Sequence, residues 1–138
     1  MIKPWSLGYE KTKTKAQKIY KKIGIVPCPA LNGELVHFSR FGFDHIITAK
    51  GRKLRTRKEQ KRRFRLLQYA EQIVKNPKAL LRYREQEVKH TVNRHGQKLL
   101  ITGTGKFWTF LETIKNTKVK LVVGQIENGI KQFISIMQ

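Results

Sequence analysis

The sequence has one cysteine, nine acidic residues and no long apolar run. The lone Cys28 cannot close an internal disulfide, which suits a reducing compartment and leaves no cysteine-based metal site. Apolar runs reach only a few residues, as at Leu121-Val122-Val123, too short to span a bilayer. The N-terminal stretch holds no apolar block of signal-peptide length, so no secretory leader is expected and the reading is a cytoplasmic protein. The four histidines, His37, His45, His90 and His95, have neither HExxH nor zinc-finger spacing. Catalysis, if present, is expected to need no metal and no cofactor.

The scarcity of acids decides the partner class. Thirty Lys plus Arg against nine Asp plus Glu leave a net charge of +21 on 138 residues. A compact chain so charged repels itself, which points to a working life beside a polyanion, nucleic acid first. The cations are scattered along the chain and not gathered on one amphipathic helix, which argues against a membrane surface. At 39% hydrophobic residues, with seven Phe, the chain is too apolar for a disordered basic tail, and its length fits one compact domain.

Ala16, Ile19, Tyr20 and Ile23 fall on one helical face and predict a helix over about 10–23, with Gly24 as its cap. Pro27-Cys28-Pro29 predicts an extended link. Residues 31–48 read as a short strand, a turn at Arg40 to Gly42, and an apolar piece carrying His45. The densest run of cations follows, from Lys50 to Arg65. Within it, Thr56-Arg57-Lys58-Glu59 matches a capping box and opens a predicted helix over about 57–75. Asn76-Pro77 ends that helix and predicts a second, short one reaching about Arg84.

After Glu85 the period becomes two. Alternation at 88–92, a β-branched piece at 98–102, and further strands at 107–114, 119–123 and 130–137 are separated by turn residues at 93–96, 115–116 and 128–129. Asn128-Gly129 is the strongest two-residue hairpin signal, and Gly103-Thr104-Gly105 reads as an interruption, a bulge or a hairpin end. The expected fold is α+β: N-terminal helices packed on one face of a roughly four-stranded antiparallel sheet whose other face stays open. Residues 1–30 form an N-terminal helical extension and 31–138 the main domain.

The order of Gly42-Phe43-Asp44-His45-Ile46, the basic helix start Arg55 to Arg63, Leu81-Arg82-Tyr83-Arg84, Lys106-Phe107-Trp108 and the final hairpin ending in Gly129 to Met137 resembles a family of small bacterial and phage proteins. They are grouped with the superfamily of barnase, EndoU, colicin-type tRNases and RelE-type toxins. The resemblance covers roughly residues 31–138. It implies a BECR-type fold and a metal-independent endoribonuclease, a toxin or phage-associated effector, acting on RNA, tRNA included. An acidic antitoxin or immunity protein is the partner implied by a +21 toxin. Family members often carry His where Gln132 stands. The alternative is a basic RNA- or DNA-binding protein that keeps the fold without catalysis.

Metal-free RNA cleavage needs a base at the 2′-hydroxyl, a proton donor for the 5′-oxygen and cations around the phosphorane. The resemblance makes His45 the base; its other reading is a packing or capping residue. Arg57 and Arg62 are candidates for transition-state contact, and Lys53, Arg55, Lys58, Lys61 and Arg65 for phosphate contact around the start of the long helix. Strand alternation puts Lys131, Phe133 and Ser135 on one face. Ser135 could hold a phosphate oxygen or be a satisfied structural hydroxyl, and Lys131 could donate the proton only with a depressed pKa. Trp108 either stacks on a base or belongs to the core. His37 reads as structural, and His90 and His95 as surface groups.

Overall fold

The computed structural model describes residues 4–49 and 53–138, with side chains from residue 8 onward. Its first element, α1 (Pro4–Ile23), starts earlier than the apolar spacing predicts, because proline is well placed in a first helical turn. Tyr9, Ala16, Tyr20 and Ile23 are buried on one face. Gly24 ends the helix at φ 60°, its N–H reaching the Tyr20 carbonyl at 3.3 Å. The expected link at Pro27 is in fact an edge strand, β1 (Ile25–Cys28), which pairs antiparallel with β2 (Glu34–His37). An edge position tolerates a proline, whose missing donor costs no ladder bond there.

Three further expectations are corrected. The residues read as a turn at Arg40 to Gly42 open a helix, α2 (Arg40–Ile47). Gly42 serves close packing: a Cβ there would lie 2.3 Å from the Phe133 carbonyl oxygen. The helix expected over 77–84 is absent. Asn76 forms an Asx turn, its Oδ1 accepting from Lys78 N–H at 3.0 Å, and Leu80 already begins β3 (Leu80–Arg94). Pairing along the neighbouring strand overrides the weak local helix signal. Finally, Gly103 to Gly105 do not interrupt the sheet. They lie inside β4 (Gln97–Ile114), in regular register with Val88 and Gln86, and their missing side chains leave room for His90, Val88 and Phe107.

The predicted helix over 57–75 appears as α3 (Arg57–Leu66), a 3₁₀ turn at Leu67–Tyr69, and α4 (Ala70–Lys75). Thr56 Oγ1 accepts from Glu59 N–H at 3.1 Å, the first half of the capping box. The Glu59 carboxylate turns instead to Arg62 and Arg63, at 3.2 and 3.0 Å. Two strands complete the fold, β5 (Thr117–Ile126) and β6 (Lys131–Met137). Lys115 and Asn116, both left-handed at φ 50° and 66°, make the tight turn before β5. The Asn128-Gly129 signal marks a turn, but a longer one, spanning residues 127–130 with Glu127 as its left-handed residue.

The sheet is six-stranded and mixed, in the order β1-β2-β6-β5-β4-β3, where four antiparallel strands were expected. The difference comes from residues 25–37, which form a hairpin and dock it parallel to β6 through Val36↔Lys131 and His37↔Gln132. Beyond those two pairs, α2 covers the edge of β6. The helices bury Phe110, Val119, Leu121, Val123, Phe133 and Ile136 of one sheet face, together with Tyr20, Phe43 and Phe64. Residues 9–28 thus share their core with residues 31–138.

Candidate nucleic-acid interface

Helix α3 separates its charges cleanly. Gln60, Arg63, Phe64 and Leu66 are buried, while Arg57, Lys58, Arg62 and Arg65 are exposed and Lys61 is half-buried. Spacing of three and four residues lines up Lys58, Lys61, Arg62 and Arg65 as one stripe. Among the described residues no carboxylate lies within 4.0 Å of Lys58, Lys61 or Arg65. Two grooves border the stripe. One, of about 270 Å³, is lined by Tyr9, Arg57, Lys58, Lys61 and Arg65. The Arg57 guanidinium lies over the Tyr9 ring at 4.5 Å, and the Tyr9 hydroxyl donates to Gln60. The other, of about 450 Å³, runs between Lys58, Arg62 and Arg65 on the helix and Lys115, Thr117 and Gln138 on the sheet. Lys58, Lys61 and Arg65, with no carboxylate within 4.0 Å among the described residues, suit contact with a polyanion's phosphates.

His45 sits half-buried in the second turn of α2, its ring edge-on to Phe41 at 4.7 Å. Arg55 Nε donates to the His45 carbonyl at 3.0 Å, so the segment leading into α3 is fixed against α2. Burial first, then the Arg55 and Arg63 charges, lower the His45 pKa below its ordinary 6.5, with Asp44 pulling the other way. The ring is therefore neutral at pH 7, the state a general base requires. Arg63 is the residue that sequence reasoning missed. It is buried, binds Glu59 at 3.0 Å and donates from Nη1 to the Ile136 carbonyl at 3.3 Å, satisfying an edge of β6 that no strand pairs.

The remaining candidates are dispersed. Gln132 Oε1 accepts from Ser39 Oγ at 2.7 Å, at the start of α2, and its strand partner is His37. Ser39 precedes α2 in the N-cap position but spends its hydroxyl on Gln132 and not on the helix. Lys131 has a side chain only 11% exposed, bonded to Glu34 at 2.9 Å and placed over the Trp108 ring at 5.3 Å. Trp108 is half-buried against Tyr83. Ser135 does not share the face of Phe133 and Lys131, as alternation predicts. A bulge in the β5–β6 ladder at Ile134 shifts the parity, so Ser135 pairs with Val122 and lies on the sheet face away from the helices. Lys53 is exposed in the loop before α3, its carbonyl bonded to Ala49 N–H.

No family model, curated protein or solved structure matches the chain. Among the described residues no cluster of His, Cys, Asp or Glu could hold a metal ion, and no helix is long and apolar enough to cross a membrane.

Proposed function

We propose that this chain is a metal-independent endoribonuclease that holds RNA on the α3 stripe and uses His45 as the general base. The observation that carries the reading is a half-exposed imidazole kept neutral by burial and by Arg55, on a segment tied directly to the start of that stripe. Neutral His45 takes the proton of a 2′-hydroxyl, whose oxygen attacks its own phosphorus. In this reading Arg55, bonded to the His45 carbonyl, offsets the charge that grows on the equatorial oxygens, and Arg57 at the start of the stripe holds the neighbouring phosphate. The 5′-oxygen leaves with a proton from a second group, and a 2′,3′-cyclic phosphate remains. RNA is the substrate class, tRNA among it, and the biological setting we propose is a cytoplasmic toxin or phage-associated effector of the BECR type.

The second reading is a binding protein without catalysis, and Gln132 favours it. Its amide, fixed by Ser39, has no titratable proton, and the neighbouring Lys131 is occupied by Glu34. Incubation of the parent, His45→Ala and Gln132→His proteins with tRNA and total RNA in excess EDTA separates the two. The nuclease reading expects cyclic-phosphate ends from the parent, loss by at least about a hundredfold in His45→Ala, and faster cleavage in Gln132→His. Unbroken RNA that nevertheless binds, in the parent and in Gln132→His, leaves the binding protein.

A further inference from the structure

An antiparallel sheet with one face in water normally turns polar side chains outward on that face. This one does not. Cross-strand register puts Val92 and Leu99, Ile101, Phe107, Val122 and Ile134 together on the face away from the helices, and none of them is buried. Their counterparts on the helix side, Phe110, Leu121, Val123 and Phe133, are all at 0% exposure. On β4 the apolar positions run from Leu99 to Phe107, about 26 Å at the rise of an extended strand, with Gly103 and Gly105 between them.

The charges carried by the strands on this face have one sign. Its strand positions hold Arg82, Arg84 and Arg94 of β3 and Lys118 and Lys120 of β5, and not one Asp or Glu. Glu85 and Glu87 point to the opposite side, paired with Lys106 and Thr104. The one acid that reaches across, Glu127, comes from a turn and is bonded to Thr104 N–H at 2.8 Å. The pattern is a partly aliphatic centre flanked by five strand cations and one turn carboxylate, Glu127.

From Gln86 to Thr104 the β3–β4 hairpin also projects beyond β5, and no residue in that stretch is buried. Leu99 and Leu100 near its tip are 40% and 67% exposed. A two-stranded ribbon is marginal in water without a third layer. Two glycines, Gly105 and Gly124, let the Phe107 ring lie down against the sheet, and Arg84 covers it at 5.2 Å. Phe107 therefore adds to a smooth aliphatic trough and offers no free ring face for a base to stack on.

We propose that this face docks an acidic, amphipathic segment of a partner protein, apolar residues in the trough and carboxylates on the rim. A second copy of this chain is disfavoured, since each copy carries +21 and the face offers one carboxylate, Glu127, against five strand cations. The proposal does not rest on RNA cleavage, because it uses no residue of the α3 stripe or of His45.

The test uses the full chain and three labelled probes: a synthetic Glu/Leu peptide with heptad-spaced leucines, a scrambled peptide of the same composition, and a single-stranded oligoribonucleotide. Fluorescence anisotropy is expected to show saturable binding of the amphipathic peptide that survives in part at high salt, and none of the scrambled one. Arg84→Glu with Lys120→Glu should weaken it about tenfold or more, whereas Lys58→Glu with Lys61→Glu should leave it unchanged. Leu99→Ser, at an exposed site where folding is not at stake, should weaken it as well. Equal binding of the scrambled peptide, equal loss in the α3 variants, or no binding at all overturns the proposal. So does displacement of the peptide by the oligoribonucleotide in a way that Arg84→Glu abolishes for both, which would make RNA the occupant.

Discussion

Arg63 stands in the middle of the cation run, yet its job differs from that of its neighbours. Its guanidinium is spent on Glu59 and on the Ile136 carbonyl. Arg63→Met keeps the aliphatic bulk but leaves a buried acceptor without a donor, and should lower unfolding free energy by about 1–3 kcal/mol, read as a lower urea midpoint. Arg65→Met, at an exposed position two residues on, should change stability by less than about 0.5 kcal/mol while weakening RNA binding. Sequence alone shows that both are arginines and that α3 is a helix; which of them turns inward depends on where the edge of β6 lies unpaired, a tertiary fact.

His45 adds a pH dependence whose sign is fixed by geometry. Burial, Arg55 and Arg63 penalise the imidazolium in the folded state, so its folded pKa lies below the unfolded 6.5. Its contribution to stability is complete above pH 6.5 and falls as pH drops below that value through the lowered folded pKa. In His45→Gln that part of the decline should vanish from a denaturation series taken across mildly acidic pH. If the ring is also the base, cleavage by the parent should rise with pH along the same limb.

At the scale of elements, the capping signal at Thr56 was legible and half correct. Thr56→Ala should cost about 1 kcal/mol, measured by urea unfolding, because only the threonine oxygen meets the free N–H of Glu59. Two short elements depart from their local sequence signals for opposite reasons. Gly42 looked like a turn residue, but the constraint on it is the Phe133 backbone, ninety-one positions away in sequence, which no local pattern can reveal. Leu80 to Arg84 carries the signal of a helix after Asn76-Pro77, although its pairing with β4, through a register shift at Leu81, makes it the start of the longest hairpin. The candidate site suffered most from a single bulge. Alternation placed Ser135 with Lys131, and the extra residue at Ile134 sent its side chain to the other side of the sheet.

The same hairpin invites a measurement. Beyond Gly105 its ladder is held by two strands only, whereas residues 107–123 pair on both sides of β4 and β5 and have helices beneath them. Amide hydrogens of residues 86–104 should therefore exchange faster than those of Phe110 to Val123, despite unbroken hydrogen bonding in both. Uniform protection along β4 would mean that the projecting half is supported in solution by something the isolated chain supplies.

For the molecule as a whole, charge and fold are nearly independent. The core is built from residues that were legible as apolar periodicity, Tyr20, Phe64, Leu121 and Val123 among them, while the +21 field is carried by the surface around it. RNA affinity should accordingly fall steeply with salt, with a log–log slope that shrinks by about one for each cation removed from the α3 stripe, as in Lys61→Ala. A slope unaffected by Lys58, Lys61 and Arg65 replacements would place the backbone contacts elsewhere on the molecule.

The parallel pairing of β2 with β6 ties an early hairpin to the last strand, and Phe133 of that strand fills the centre of the aromatic cluster with Tyr20 and Phe38. During translation, then, a nascent chain that has not yet released Lys131 to Met137 from the ribosome lacks both the edge on which α2 rests and the ring its core closes around. A stop codon anywhere in the loop at 127–130 would therefore yield a chain whose aromatic cluster stays open, expected to show no cooperative unfolding transition.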